Sequence, residues 1–133
     1  MSAYNAFLAS PIVGYGLIGF VEKVVAFPPL SGAPVGFDHL HNDLADFAVA
    51  GGAMGILAYG LFLAAPVVEA VRAPRGRNRR VAVLMSTTIC VGYAGMGATN
   101  AMLGVMSQTL LYAVVLALVA YFARLPGGYP ATA

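Results

Sequence analysis

Three long uncharged apolar runs constrain this chain more than anything else in it. Residues 47–70 carry no charge before Glu69, residues 81–99 carry none over 19 positions, and residues 103–123 carry none over 21. About 20 helical residues cross a hydrocarbon core roughly 30 Å thick, so each run is long enough to span a bilayer. Lipid offers no partner for backbone N–H and C=O groups, so the spans must be helices. The sequence therefore predicts an all-α integral membrane protein: three transmembrane helices (about 47–70, 81–99 and 103–123) preceded by an irregular outer-face segment. Composition points the same way. The chain is 60% hydrophobic and 9% charged, with a mean hydropathy of +0.83, whereas soluble domains carry about 25% charged residues.

Two regions follow. Residues 1–43 form a periplasmic or interfacial segment broken by Pro11, Gly14, Gly16, Gly19, Pro28, Pro29, Gly32, Pro34 and Gly36, and the stretch around 28–36 reads as loop. A short helix is possible within residues 6–27, too interrupted to span. Residues 44–133 form the three-helix transmembrane region. The segment before Lys23 lacks the basic residue of a signal peptide, and Pro11 interrupts its apolar stretch. The single cysteine, Cys90, lies in an apolar run and reads as a small buried packing residue. The tyrosines at 59, 93, 112 and 121 are too dispersed for a clear aromatic belt.

Five of the seven basic residues (Arg72, Arg75, Arg77, Arg79 and Arg80) lie between the first two spans, and Arg124 follows the third. Both groups fall on one side of a three-span protein, which the positive-inside rule makes cytoplasmic. The cluster reads first as a topology determinant, and otherwise as a contact to anionic lipid. It is too short, and too closely flanked by apolar runs, to be a nucleic-acid footprint. The expected location is the bacterial inner membrane, multi-pass, with His41 on the periplasmic side.

At that outer end the chemistry-bearing residues are His39, His41, Asn42 and Asp38. His41 has two readings. It is either an interfacial histidine bonded to a loop carbonyl, or a base whose unperturbed pKa of about 6.5 suits taking a proton from a hydroxyl. Asp38, three residues earlier, would orient the imidazole or simply cap the helix. His39 and His41 are two apart, which does not converge on one helical face, and no third ligand is spaced to help, so no metal is expected. Nothing in the chain suggests a cofactor. At about 100° per residue, Ala45, Ala48, Gly52, Gly55 and Tyr59 lie beneath His41 as a stripe of small residues, which would let a partner helix approach closely. Asp43 and Asp46 are expected on the opposite side, at the water interface. Asn100 and Gln108, near the outer ends of their spans, either line one cavity with His41 or bond between helices.

The pattern His41-Asn42, then Gly52 and Gly55, resembles the outer-face motif of the O-antigen ligase and polymerase family of bacterial membrane glycosyltransferases. The upstream segment Ser10-Pro11-Ile12-Val13-Gly14-Tyr15-Gly16-Leu17-Ile18-Gly19-Phe20 resembles that family's proline–hydrophobic–glycine segment. The resemblance covers residues 8–70 and is less distinct beyond. It implies transfer of glycan from an undecaprenyl-pyrophosphate carrier to an acceptor hydroxyl of lipid A–core, glycan or another polymer. It makes His41 the acceptor-activating base, with Asn42, His39 and Asp38 organising the site. Members of the family hold the pyrophosphate with outer-loop arginines and need no metal. Here the outer segment has Lys23 as its sole basic residue. The chain therefore reads as the C-terminal part of such an enzyme, inactive alone, whose missing N-terminal helices or partner subunit would supply the clamp. The alternative is a small non-enzymatic multi-span protein that joins a larger assembly through its Ala/Gly helix face. A transporter fragment would need a strongly polar residue deep in a span, where Gln108 is a modest candidate.

Overall fold

A chain in lipid must close every backbone hydrogen bond on itself, and this one does so with helices. The computed structural model describes residues 2–25 and 40–125; Asp38, His39 and the proline-rich stretch 28–36 lie outside them. The described residues form five helices and no strands: α1 (Ser2–Ala9), α2 (Phe20–Val25), α3 (Asp43–Arg72), α4 (Arg77–Gly97) and α5 (Met106–Arg124). The last three are long and apolar enough to cross a membrane, and the protein is a multi-pass, all-α membrane protein. The third helix of the bundle starts at Met106 rather than 103, and the second at Arg77 rather than 81. The short helix expected within residues 6–27 is instead two helices separated by a non-helical stretch, 10–19.

Short connections at 73–76 and 98–105 make α3, α4 and α5 antiparallel neighbours, all three in mutual contact. At the arginine end the bundle closes on small residues: Ala70, Ala73, Ala82, Val119 and Ala123 form one buried cluster. Toward the opposite end Ile89, Tyr93, Met102 and Tyr112 form another. Most remaining apolar side chains face outward, including Leu61, Leu84, Val91 and Val114, as lipid-facing residues do. The tyrosines that are scattered in sequence converge in space. Phe47, Tyr59, Phe62, Tyr112 and Tyr93 form a run of ring contacts with centroids 5.2–6.3 Å apart.

Two interruptions shape α3. Pro66 sits inside it and has no N–H to donate to Phe62, four residues back. The Tyr112 hydroxyl donates to that carbonyl instead. Nearby, the Cys90 thiol donates to the Leu63 carbonyl at 3.0 Å. The Ser86 hydroxyl lies 2.8 Å from the Pro66 carbonyl and 2.7 Å from the Ala82 carbonyl. Cys90 is thus half-buried and hydrogen-bonded rather than a purely apolar filler.

The second interruption is Gly52, with φ 59° and ψ −143°, a conformation that glycine reaches without a Cβ penalty. It breaks the helical bonds Ala53-to-Val49 and Met54-to-Ala50. Residues 11–16 replace them one for one. Tyr15 and Gly16 donate to the Val49 and Ala50 carbonyls at 3.0 and 2.8 Å, while Ala53 and Met54 donate to the Pro11 and Ile12 carbonyls at 2.7 and 3.4 Å. Non-helical backbone at membrane depth is tolerated where protein satisfies it in this way. Around this junction Ala6, Phe20, Val21, Val24, Val49 and Ala50 pack as a third buried cluster, which fastens α1 and α2 to the N-terminal half of α3.

Candidate functional site at the start of α3

The end of the bundle opposite the arginines is organised by Asn42, Asp43 and Asp46. Asn42 is the N-cap of α3: its side-chain oxygen accepts from Ala45 N–H at 2.9 Å, and its amide donates to the Ala98 carbonyl at 2.8 Å. One side chain thus satisfies an orphan donor of α3 and ties that helix to the residue capping the C-terminus of α4. The cap is Asn42, not Asp38, because the helix begins at Asp43.

Asp43 does not sit out at the water interface as expected, whereas Asp46 is half-buried. Asp43 is 1% exposed. Its carboxylate accepts from Met102 N–H at 2.7 Å and Leu103 N–H at 3.1 Å, so the α4–α5 connection is fastened to the start of α3. Gly97 makes room for it: a Cβ there would lie 2.6 Å from Asp43 Oδ2 and 3.2 Å from the Tyr59 hydroxyl. Asp46 accepts from Leu40 N–H at 2.7 Å. The face-counting expectation failed here because it treated the first turn as a free helix surface. The last turn of α4 and the 98–105 connection pack on that surface, and no local spacing reveals this.

His41 is held between these two anchors, the Leu40 N–H bonded to Asp46 and the Asn42 cap. Its backbone lies in the left-handed region, φ 56°, and its side chain is exposed. Histidine is among the residues that enter this region more readily than most, though conformations of this kind still cost of order 1–3 kcal/mol and cluster at functional sites.

Near this helix start opens a cavity of about 540 Å³ between the 16–20 segment, the N-terminal half of α3 and Leu103-Gly104. Its walls are mainly apolar, with Leu17, Phe20 and Phe47 prominent, and Asp43 and Asp46 contribute carboxylates. His41 does not line it, nor do Asn100 and Gln108. Asn100 turns its side chain to the Ala101 N–H at 2.9 Å. Gln108 lines a separate apolar groove between α4 and α5, where its backbone carbonyl accepts from the Tyr93 hydroxyl.

The small-residue stripe is only partly a helix–helix feature. Ala45 and Ala48 are half-buried, and Gly52 and Gly55 are buried. What approaches Gly52 is the extended segment at Pro11 and Ile12, and a Cβ at Gly55 would overlap the Phe47 carbonyl of the same helix. The break at Gly52 makes this possible, and it also ends the continuous 100° register on which the stripe was counted. Among the described residues no three His, Cys, Asp or Glu side chains come together as a metal site. The stretch beginning at Ser10 and the Gly52–Gly55 stretch, separated by some forty residues of sequence, are hydrogen-bonded into one unit. Compared with family models, with curated proteins and with solved structures, the chain matches none.

Proposed function

We propose that this chain carries the acceptor-activating end of a membrane glycosyltransferase of the O-antigen ligase/polymerase type. The observation behind this reading is the docking of residues 11–16 into the break at Gly52, below a capped helix end from which His41 is exposed. His41 acts as the base. It takes the proton of an acceptor hydroxyl, the hydroxyl oxygen attacks the anomeric carbon, and the bond to undecaprenyl pyrophosphate breaks with its electron pair on the leaving phosphate. Asn42 holds the helix end that presents His41. The carboxylates of Asp43 and Asp46 disfavour a pyrophosphate in the adjoining cavity. The leaving group needs cationic partners; with Lys23 the one basic residue before Arg72, they come from further helices or a partner subunit. The site faces the periplasm from the inner membrane.

The test is His41→Ala in the complete enzyme, in cells whose surface polysaccharide depends on it. Loss of polymer with membrane insertion unchanged is expected; near-normal polymer removes His41 from the catalytic role. Membrane-impermeant labelling of cysteines placed at 41 and 75 tests the orientation, and labelling of both from one compartment overturns it.

A second reading is favoured by α4, where nothing lies within 4 Å of a Cβ built at Gly92 or Gly95. Such a face allows another helix to approach closely, as in a non-enzymatic multi-span protein of a larger assembly. On that reading Gly92→Leu with Gly95→Leu disrupts assembly, and His41→Ala changes nothing.

A further inference from the structure

The arginine end of the bundle carries a feature that glycosyl transfer does not use. Arg75, Gly76, Arg79 and Arg80 border a shallow groove that continues along α4 past Val83, Leu84 and Thr87. Positions 76, 79, 80, 83, 84 and 87 follow helical spacing, so one face of α4 passes from guanidinium groups to apolar side chains as it enters the bilayer. Val83 is 40% exposed and Leu84 68%. The charge at this end is unbalanced. Among the described residues Glu69 is its one carboxylate, and Glu69 pairs with Arg124 at 3.6 Å, leaving Arg72, Arg75, Arg77, Arg79 and Arg80 without an acidic partner there. Guanidinium groups favour phosphate because their fork of donors matches its oxygens.

We infer that this groove is a binding site for one anionic phospholipid. Its phosphate sits among Arg75, Arg79 and Arg80, and an acyl chain lies along Val83 and Leu84. The order of the groove matches the order of such a lipid, charged at the headgroup depth and apolar below it. The site does not depend on the glycosyltransferase reading, nor on which compartment the arginines face.

The experiment uses the full chain purified in detergent, exposed separately to phosphatidylglycerol and phosphatidylcholine, with retained lipid counted by native mass spectrometry. The chain is expected to retain one phosphatidylglycerol in preference to phosphatidylcholine. The double variant R79Q/R80Q should lose that preference, with each guanidinium removed lowering retention about fivefold. The variant R72Q/R77Q removes the same charge at the same end but outside the groove, and it should keep the preference. Helicity by circular dichroism checks that both variants fold. Equal retention of the two lipids overturns the proposal, and so does equal loss in both variants, which would mean diffuse attraction rather than a site. Displacement by excess glycerol phosphate also overturns it, because that ligand carries the headgroup without the chains.

Discussion

The Tyr112 hydroxyl of α5 donates to the Phe62 carbonyl of α3, the acceptor that Pro66 leaves without its helical donor. A cost imposed on one helix is met by a side chain of another, which couples the two residues. Tyr112→Phe should destabilise the bundle by about 1 kcal/mol, in the range of interhelical hydrogen bonds in membranes. In a Pro66→Ala background, position 66 regains its N–H and the Phe62 carbonyl is satisfied within α3, so Tyr112→Phe should then cost much less. A double-mutant cycle by thermal unfolding in detergent measures the difference; additive effects would refute the coupling.

The junction at Gly52 should be intolerant of any Cβ. Gly14 and Gly52 both have positive φ, and a Cβ at either would lie 2.5 Å from backbone atoms across the junction, of Ala50 and Ile12 respectively. Gly16 also has positive φ, 86°, but open space around it. Gly16→Ala should therefore carry the backbone cost alone, about 1–2 kcal/mol. Gly14→Ala and Gly52→Ala should cost clearly more, because backbone must move as well. Unfolding midpoints of the three variants rank them directly, and Gly16→Ala as damaging as the other two would contradict the geometry.

Asp43 fastens the α4–α5 connection through two backbone donors. Asp43→Ala leaves the Met102 and Leu103 N–H groups without that acceptor and should cost about 1.5–3 kcal/mol. Asp43→Asn keeps an acceptor oxygen and should cost less. Amide hydrogen exchange at Met102 and Leu103 should accelerate in Asp43→Ala ahead of global unfolding. Unchanged protection at those two amides would show that the loop is held by other contacts.

The spans were legible because lipid imposes a rule that composition expresses directly: residues 47–70, 81–99 and 103–123 lack charge, and each lies largely within one of the three long helices. The special roles of Pro11, Gly14, Gly16 and Gly52 showed as a motif, but not as a junction. The exchange of hydrogen bonds between residues 11–16 and 49–54 is a long-range pairing with no periodicity to announce it. Asp43 was misplaced for a related reason. Its partners Met102 and Leu103 lie sixty residues away, and an acidic residue in a first helical turn ordinarily signals a solvated helix start. Tyr59, Tyr93 and Tyr112 gave only a weak belt signal because they are buried inside the bundle rather than exposed at an interface.

Asn42 does two jobs that substitutions can separate. Asn42→Asp keeps an oxygen for the Ala45 N–H but has no N–H to give the Ala98 carbonyl, while Asn42→Ala loses both. Loss of the cap alone is worth about 0.5–2 kcal/mol, so the expected stability order is Asn42, then Asp, then Ala. Equal unfolding midpoints for the two variants would mean that the bond to Ala98 carries the whole effect.

His41 offers a separation of stability from function. Its φ of 56° suits glycine better than any residue with a Cβ. His41→Gly should therefore hold or raise the unfolding midpoint, whereas the β-branched His41→Val should lower it by about 1–2 kcal/mol. If the imidazole serves as the base, His41→Gly abolishes glycosyl transfer in the complete enzyme while the helix end beneath it stays intact. A variant that is stable yet inactive is the pattern of a residue kept for chemistry against the preference of its backbone. A His41→Gly protein that is both active and no less stable would leave the imidazole without a role at this end.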